Sequence, residues 1–243
     1  MASENSPSWS QVFKDVGDLL TFRISRERLQ ALGNRHLALG LGSTWLVGIG
    51  RYWDDPGAKL LQHLGVGSLA YVFALAMLLF LLMWPLRPAA WSYRQVLTFV
   101  TLTSPPALLY AIPVEMVTDI PTASRINVWF LLLVASWRVA LLFFYLARSA
   151  RLSPLARTVT TLLPLMGIVV ALSLLNLERA VFNIMGGLRE STAADAAYEL
   201  VFYLSWLAYL AFPFVAAVYA IIVFNAWQQH KTQAALEALD SEP

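Results

Sequence analysis

The sequence predicts an all-α protein: a polytopic integral membrane bundle of about six transmembrane helices, preceded by an amphipathic interfacial helix. Three observations predict it. Charge is scarce, with 13% of the residues charged and 58% hydrophobic, and a surface facing water would need about twice that charge. Apolar stretches long enough to cross a hydrocarbon core of ~30 Å recur along the chain. The breaks between them are short and rich in proline, glycine and charge, which suits antiparallel neighbours in one domain.

Residues 1–35 form a cytoplasmic tail. Within it, SPSWSQVFKDVGDLL sets Trp9, Val12, Phe13, Val16, Leu19 and Leu20 at helical spacing, and Ser8 with Gln11 makes a capping box. Arg23, Arg26 and Arg28 follow at once. An apolar stripe beside a basic cluster predicts a helix lying in the interface and held partly by anionic lipid, or packed beneath the bundle as a collar. The tail carries acids and no uninterrupted apolar core, so no cleaved signal peptide is expected and the first span should direct insertion.

The bundle occupies residues 36–227, with spans placed at 36–53, 66–86, 97–117, 126–147, 158–177 and 199–226. The first is short and glycine-rich, closing on the charged run GRYWDD; the last is long enough to tilt or to project from the bilayer. Gly40, Thr44 and Gly48 form a stripe of small residues, expected to pack closely against another helix. PGAKLLQHLGVGS and VFNIMGGLRE read as interfacial turns or short helices between spans. Residues 228–243 form a C-terminal tail. Tyr52, Trp53, Trp84, Trp91, Tyr93, Trp129, Tyr145, Tyr198 and Trp227 fall near segment ends, at the depth amphipathic rings favour.

Orientation follows from the basic residues. With the N-terminus inside, Lys14, Arg23, Arg26, Arg28, Arg35, Arg87, Arg94, Arg148, Arg151, Arg157 and Lys231 fall on the cytoplasmic side. Arg51, Lys59, Arg125, Arg179 and Arg189 fall on the other. The excess predicts an inner-membrane protein with both termini in the cytoplasm.

One arginine belongs to neither side. Arg138 sits in VASWRVALLFF, about 18 Å from the outer end of its span at helical rise. An arginine at that depth costs at least ~2.5–3.5 kcal/mol, so it should face the bundle interior. Pro105 and Pro106 in the third span, and Pro213 in the sixth, each free a carbonyl one turn earlier, at Thr101, Leu102 and Tyr209. A guanidinium with five donors suits such acceptors. Ser104, Ser136 and Ser205 should lie at similar depth, and the acids Glu115 and Glu178 end their spans on the outer side. Two readings of Arg138 stand open. It braces broken helices from within, or it floors a cavity opening outward between Glu115, Asp119 and Glu178.

No cysteine occurs, which excludes disulfides, thiolate metal sites and cysteine nucleophiles. The three histidines are far apart, so no metal cage is expected, and a net charge of +2 gives no reason to expect nucleic acid. No HExxH, P-loop or paired-aspartate motif is present, and neither a catalytic residue nor a cofactor is expected. GLGSTW lacks the partner histidine an intramembrane serine protease needs. The amphipathic lead-in before a compact, short-looped bundle resembles the small Yip1-type membrane proteins in architecture alone. The sequence is therefore read as a non-enzymatic membrane scaffold or accessory subunit. Its expected partners are membrane lipids and either a second copy or another membrane protein. The alternative is a small carrier or channel with a mid-membrane site at Arg138.

Overall fold

The computed structural model describes residues 7–53, 59–86, 88, 91–150, 152–174 and 191–240, without side chains at Glu115, Ile120, Ser124, 191–202 and 234–240. The described residues are helical, with no strand among them.

Helix α1 (Trp9–Leu20) starts where Ser8 Oγ accepts the Gln11 N–H at 3.2 Å. Half of the capping box is formed: the Gln11 side chain reaches forward, donating to Asp15 Oδ1 at 2.7 Å rather than back to the cap. The helix buries Val12, Val16 and Leu19 against the bundle and leaves Trp9 and Phe13 exposed. A reversal at Phe22, in the left-handed region with φ 62°, leads into the short α2 (Arg26–Gln30). Trp137 Nε1 donates to the Leu20 carbonyl at 3.0 Å and Arg148 to that of Ile24 at 3.2 Å, tying this N-terminal pair to a later helix.

Helix α3 (Asn34–Gly50) has 17 residues, about 25 Å at helical rise. The short α4 (Leu60–His63) then leads through Gly65 into α5 (Val66–Met83), whose apolar run continues to Leu86. Gly65 sits at φ +66°, and a Cβ there would lie 2.8 Å from the Trp45 carbonyl, so only glycine fits.

The segment 97–117, predicted as one span, is not one helix. α6 (Tyr93–Leu102) stops just before Pro105–Pro106; a 3₁₀ stretch (Pro105–Ala111) and a 3₁₀ turn (Val114–Met116) follow. Two prolines remove successive N–H groups and their rings crowd the carbonyls of the preceding turn, so the α-helix cannot continue. The break is deep: every residue from Val96 to Ser104 is buried.

α7 (Ile120–Ser149) is capped by Asp119, whose Oδ2 accepts the Thr122 N–H at 3.4 Å. α8 (Pro154–Leu174) contains the buried Pro164, and α9 (Ser191–Asp240) runs for 50 residues, roughly 75 Å. α9 is thus longer at both ends than the predicted 199–226, with the apolar portion at Tyr203–Gln233.

Among the described residues, four helices are long and apolar enough to cross a membrane: Val66–Leu86, Pro121–Ser149, Pro154–Leu174 and Tyr203–Gln233. The two other predicted spans are the short α3 and the broken segment around α6. One core joins α1, α2, α5, α6 and α7, with Phe99 stacked on Tyr145 at a centroid distance of 4.0 Å. α8 and α9 pack on each other and on α7.

Candidate functional site

The break after α6 is where the interior polar groups gather. Thr103 ends the helix, and its hydroxyl donates to the Val100 carbonyl at 2.7 Å while its oxygen accepts from Arg138 Nε at 3.3 Å. The Thr101 carbonyl is taken by the Ser104 N–H at 3.1 Å in the tight turn. Arg138 therefore bonds a side chain at the break and not that freed carbonyl, because the chain folds back to satisfy its own acceptor first. Thr44 of α3 donates to the Gly40 carbonyl at 2.9 Å, which leaves the Ser104 hydroxyl as the donor in their 2.7 Å contact.

The small-residue stripe makes this approach. A Cβ on Gly40 would overlap the Thr101 side chain, and one on Gly48 would fall 2.8 Å from Gly65 Cα. Gly40, Thr44 and Gly48 are all buried inside the chain, against α6 and the start of α5.

Two cavities meet at this place. One, of about 210 Å³, is lined by Thr44, Arg51, Tyr52, Gln62, Ser68, Tyr71, Ser104 and Arg138, among others. The second, of about 180 Å³, shares Arg51, Tyr71 and Arg138 but is otherwise walled mainly by apolar groups of α5, α6, α7 and α8. The Arg51 guanidinium lies over the Tyr110 ring at 4.6 Å and that of Arg138 near the Tyr71 ring at 5.9 Å. Such contacts are worth about 0.5–2 kcal/mol each. Arg51 Nε and Arg138 Nη2 are buried without a hydrogen-bond partner. No carboxylate lines either cavity, and no ion pair to Arg51 or Arg138 occurs among the described residues. Two like charges thus share one wall, each with a buried N–H unused.

Of the sequence-predicted site residues, the structure brings Arg138, Ser104 and Thr44 together here. Ser136 is exposed on α7 and does not line either cavity. Glu115 has its backbone in the turn after the break, its side chain being outside the description, and Glu178 lies outside the described residues, as does VFNIMGGLRE. Asp119 caps α7 and is not in a cavity lining. Ser205 is buried with its hydroxyl unpartnered. Sequence reasoning missed Arg51, counted there as a charge closing the first span on the outer side. The available signal was the shortness of its span, which leaves the helix end, and the arginine after it, inside the bundle.

A second polar cluster joins α1, α2 and α3. Asp15, 5% exposed, receives Arg28, the Gln11 amide at 2.7 Å and His36 Nε2 at 3.0 Å, while Arg28 Nη1 also reaches Asp18 at 2.5 Å. The Gly33 N–H donates to His36 Nδ1 at 3.1 Å, so the ring proton sits on Nε2 and points at Asp15. Burial pushes the Asp15 carboxyl up, but the hydrogen bonds from Arg28, His36 and Gln11, with the charge of Arg28, outweigh it and hold the group below the usual carboxylate range. Of the three arginines assigned to lipid, Arg28 is thus held by two aspartates, Arg26 is half-buried and Arg23 is exposed. No metal-binding group of three or more His, Asp or Glu occurs among the described residues.

The chain matches no family model, no curated protein and no solved structure.

Proposed function

We propose that this chain is a multi-pass membrane protein that binds an anion inside its helix bundle and acts as a small carrier. The observation that supports the reading is the pair Arg51 and Arg138, on the wall common to two cavities, each with an unused buried N–H and, among the described residues, no carboxylate in the lining. A buried charge without a counter-charge is expensive, and an incoming anion relieves that cost. The discontinuous helix beside the pair has the form that membrane carriers use around a substrate. The reading is non-enzymatic: the lining supplies cations, hydroxyls and the Gln62 amide, groups that can hold an anion.

In this reading the short α3 and the broken segment also cross the bilayer, giving six crossings with both termini in the cytoplasm of an inner membrane, as the charge asymmetry favours. α1 lies at the cytoplasmic face, its exposed Trp9 and Phe13 turned to lipid and Arg35 stacked on Trp9 at 5.8 Å.

The accessory-subunit reading has its own support in α9, where Tyr203, Trp206, Leu210, Phe214, Ile221 and Phe224 are all exposed. That face would suit another membrane helix, whereas the Gly40–Gly48 stripe is already covered.

The deciding test is anion-dependent stability in detergent at constant ionic strength. Chloride, phosphate, acetate or octanoate should raise the unfolding midpoint of the wild type by a few degrees and leave Arg138→Gln unmoved. If none of the four does so, the carrier reading fails, and a co-purifying membrane protein would then favour the accessory role.

A further inference from the structure

The hydrocarbon walls of the second cavity bear on what the arginines hold. On one side of the pair the walls include Thr44, Gln62, Ser68 and Ser104. On the other they include Leu75, Leu79, Phe99, Val134, Leu142 and Ile168, with Thr103 and Tyr110 beside the arginines. Arg51, Tyr71 and Arg138 belong to both linings, so the guanidiniums stand where a mainly apolar chamber adjoins the first cavity. A small inorganic anion would use the border and the polar side alone. The hydrocarbon walls of the apolar chamber, about 180 Å³, would gain nothing from it.

We infer that the ligand of this site is a single-chain amphiphilic anion, its carboxylate or phosphate set between Arg51 and Arg138 and its hydrocarbon chain in the apolar chamber. The inference rests on the anion-binding reading above and names its ligand class. Guanidinium forks match both oxyanions, which present two or more oxygens to adjacent N–H groups. The chain supplies what the small anion lacks, because each methylene taken from water into an apolar lining strengthens binding about fourfold. Ala135 of α7 is exposed and also part of the apolar lining, so this chamber opens on the surface of the bundle. That stretch of α7 lies in the apolar window Pro121–Ser149, where the surroundings are hydrocarbon in the membrane reading. An amphiphile dissolved in a leaflet would thus meet the chamber's mouth tail first, with its head drawn toward the two cations. The Tyr71 ring next to Arg138 offers a flat apolar surface at the point where head gives way to chain.

The experiment is a chain-length series on purified wild type in zwitterionic nanodiscs at pH 8. Equilibrium binding is measured for sodium acetate, butanoate, hexanoate and octanoate, with octyl phosphate and octanol as further arms. Affinity should rise about tenfold or more from hexanoate to octanoate, octanol should bind far more weakly than octanoate, and Arg138→Gln should remove the difference between these two. Ala135→Trp, placed at the exposed mouth, should flatten the chain-length dependence. The ratio of octyl phosphate to octanoate tells which oxyanion the pair prefers, a preference for either being within the inference. Equal affinities across the carboxylate series would overturn it while leaving an anion site in place. Octanol binding as well as octanoate would overturn it too, by removing the charge from the recognition. Binding by no anion at all would instead remove the reading beneath it, so the two failures are told apart.

Discussion

Replacing Arg138 by leucine should leave the protein as stable as before, or more so, while abolishing its response to anions. The magnitudes come from its surroundings. Keeping the guanidinium in the membrane interior costs ~2.5–3.5 kcal/mol on insertion scales. Its Nη2 is buried without a partner, and an unmet donor of that kind is worth ~1–3 kcal/mol, overlapping with the first figure because both count lost hydration. Against this stand a 3.3 Å bond from Nε to Thr103 and the Tyr71 ring at 5.9 Å. A charged hydrogen bond returns about 1.5 kcal/mol at the weak end, and a distant cation–π contact about 0.5 kcal/mol. The balance for Arg138→Leu therefore runs from near zero to ~2 kcal/mol of stabilisation, and relief of repulsion with Arg51 acts in the same direction. An arginine that braces the broken helices predicts the opposite, a loss of ~3–5 kcal/mol, as for a severed buried pair. Equilibrium unfolding of both proteins by SDS titration, in buffer with only a large impermeant counter-ion, separates the cases. A loss above about 2 kcal/mol would show that Arg138 holds the bundle together, and the argument from an unspent charge would fall.

Four other outcomes follow from named residues. Asp15→Ala should cost ~2–4 kcal/mol by thermal or denaturant unfolding, because it strips the His36 N–H of its acceptor and Arg28 of its main partner. Asp18→Ala, at a partly exposed contact, should cost under ~1 kcal/mol, and equal losses would refute that ordering. Since the folded Asp15 titrates below its ordinary value of 3.8, its contribution is fully present above that pH and is lost as the pH falls through the lower, folded value. Acid unfolding of the wild type should steepen there and that of Asp15→Asn should not. Gly40→Leu should fail to fold rather than alter an oligomer, the added side chain falling on Thr101 inside the same chain; a folded variant with a changed particle mass would contradict the packing. In a chain without native cysteine, Ser68→Cys should react with an impermeant thiol reagent and be protected by octanoate. Ser136→Cys, off both linings, should show no protection, and protection there would misplace the cavity.

Much of the fold was legible because hydrophobic length is a strong signal. The run Val66–Leu86 coincides with its predicted span, and α7 contains the whole of residues 126–147. Pro105–Pro106 marked a break in the third segment, although its form, a 3₁₀ stretch with Thr103 turned to Arg138, depends on tertiary partners that no local pattern encodes. Helix ends were harder to read. α9 exceeds its apolar window at both ends since the flanking residues, Ala-rich and Glu-containing, are good helix formers in water as well. Arg28 shows a different limit. A basic cluster beside an apolar stripe invites a lipid reading, but Asp15 and Asp18 lie on the preceding helix and the turn at Phe22 folds them back onto it. Charge counted along a sequence says nothing of which opposite charges the next turn brings into reach.

The same limit explains why the site was half seen. Arg138 stood out because its neighbours in sequence are apolar, whereas Arg51 stood in the charged run GRYWDD and passed for the outer end of its span. What makes Arg51 an interior group is geometry set elsewhere: α3 is short, and Gly48 and Gly65 let α5 begin close against its end. The close approach of those two helices places Arg51, Tyr71 and Arg138 on one wall, where a larger residue at position 48 would hold them apart. The glycine stripe and the arginine pair, unrelated in the sequence, are therefore one construction. The stripe brings the first cation in, the proline break supplies the hydroxyl that orients the second, and the unspent N–H groups between them are what an anion would meet.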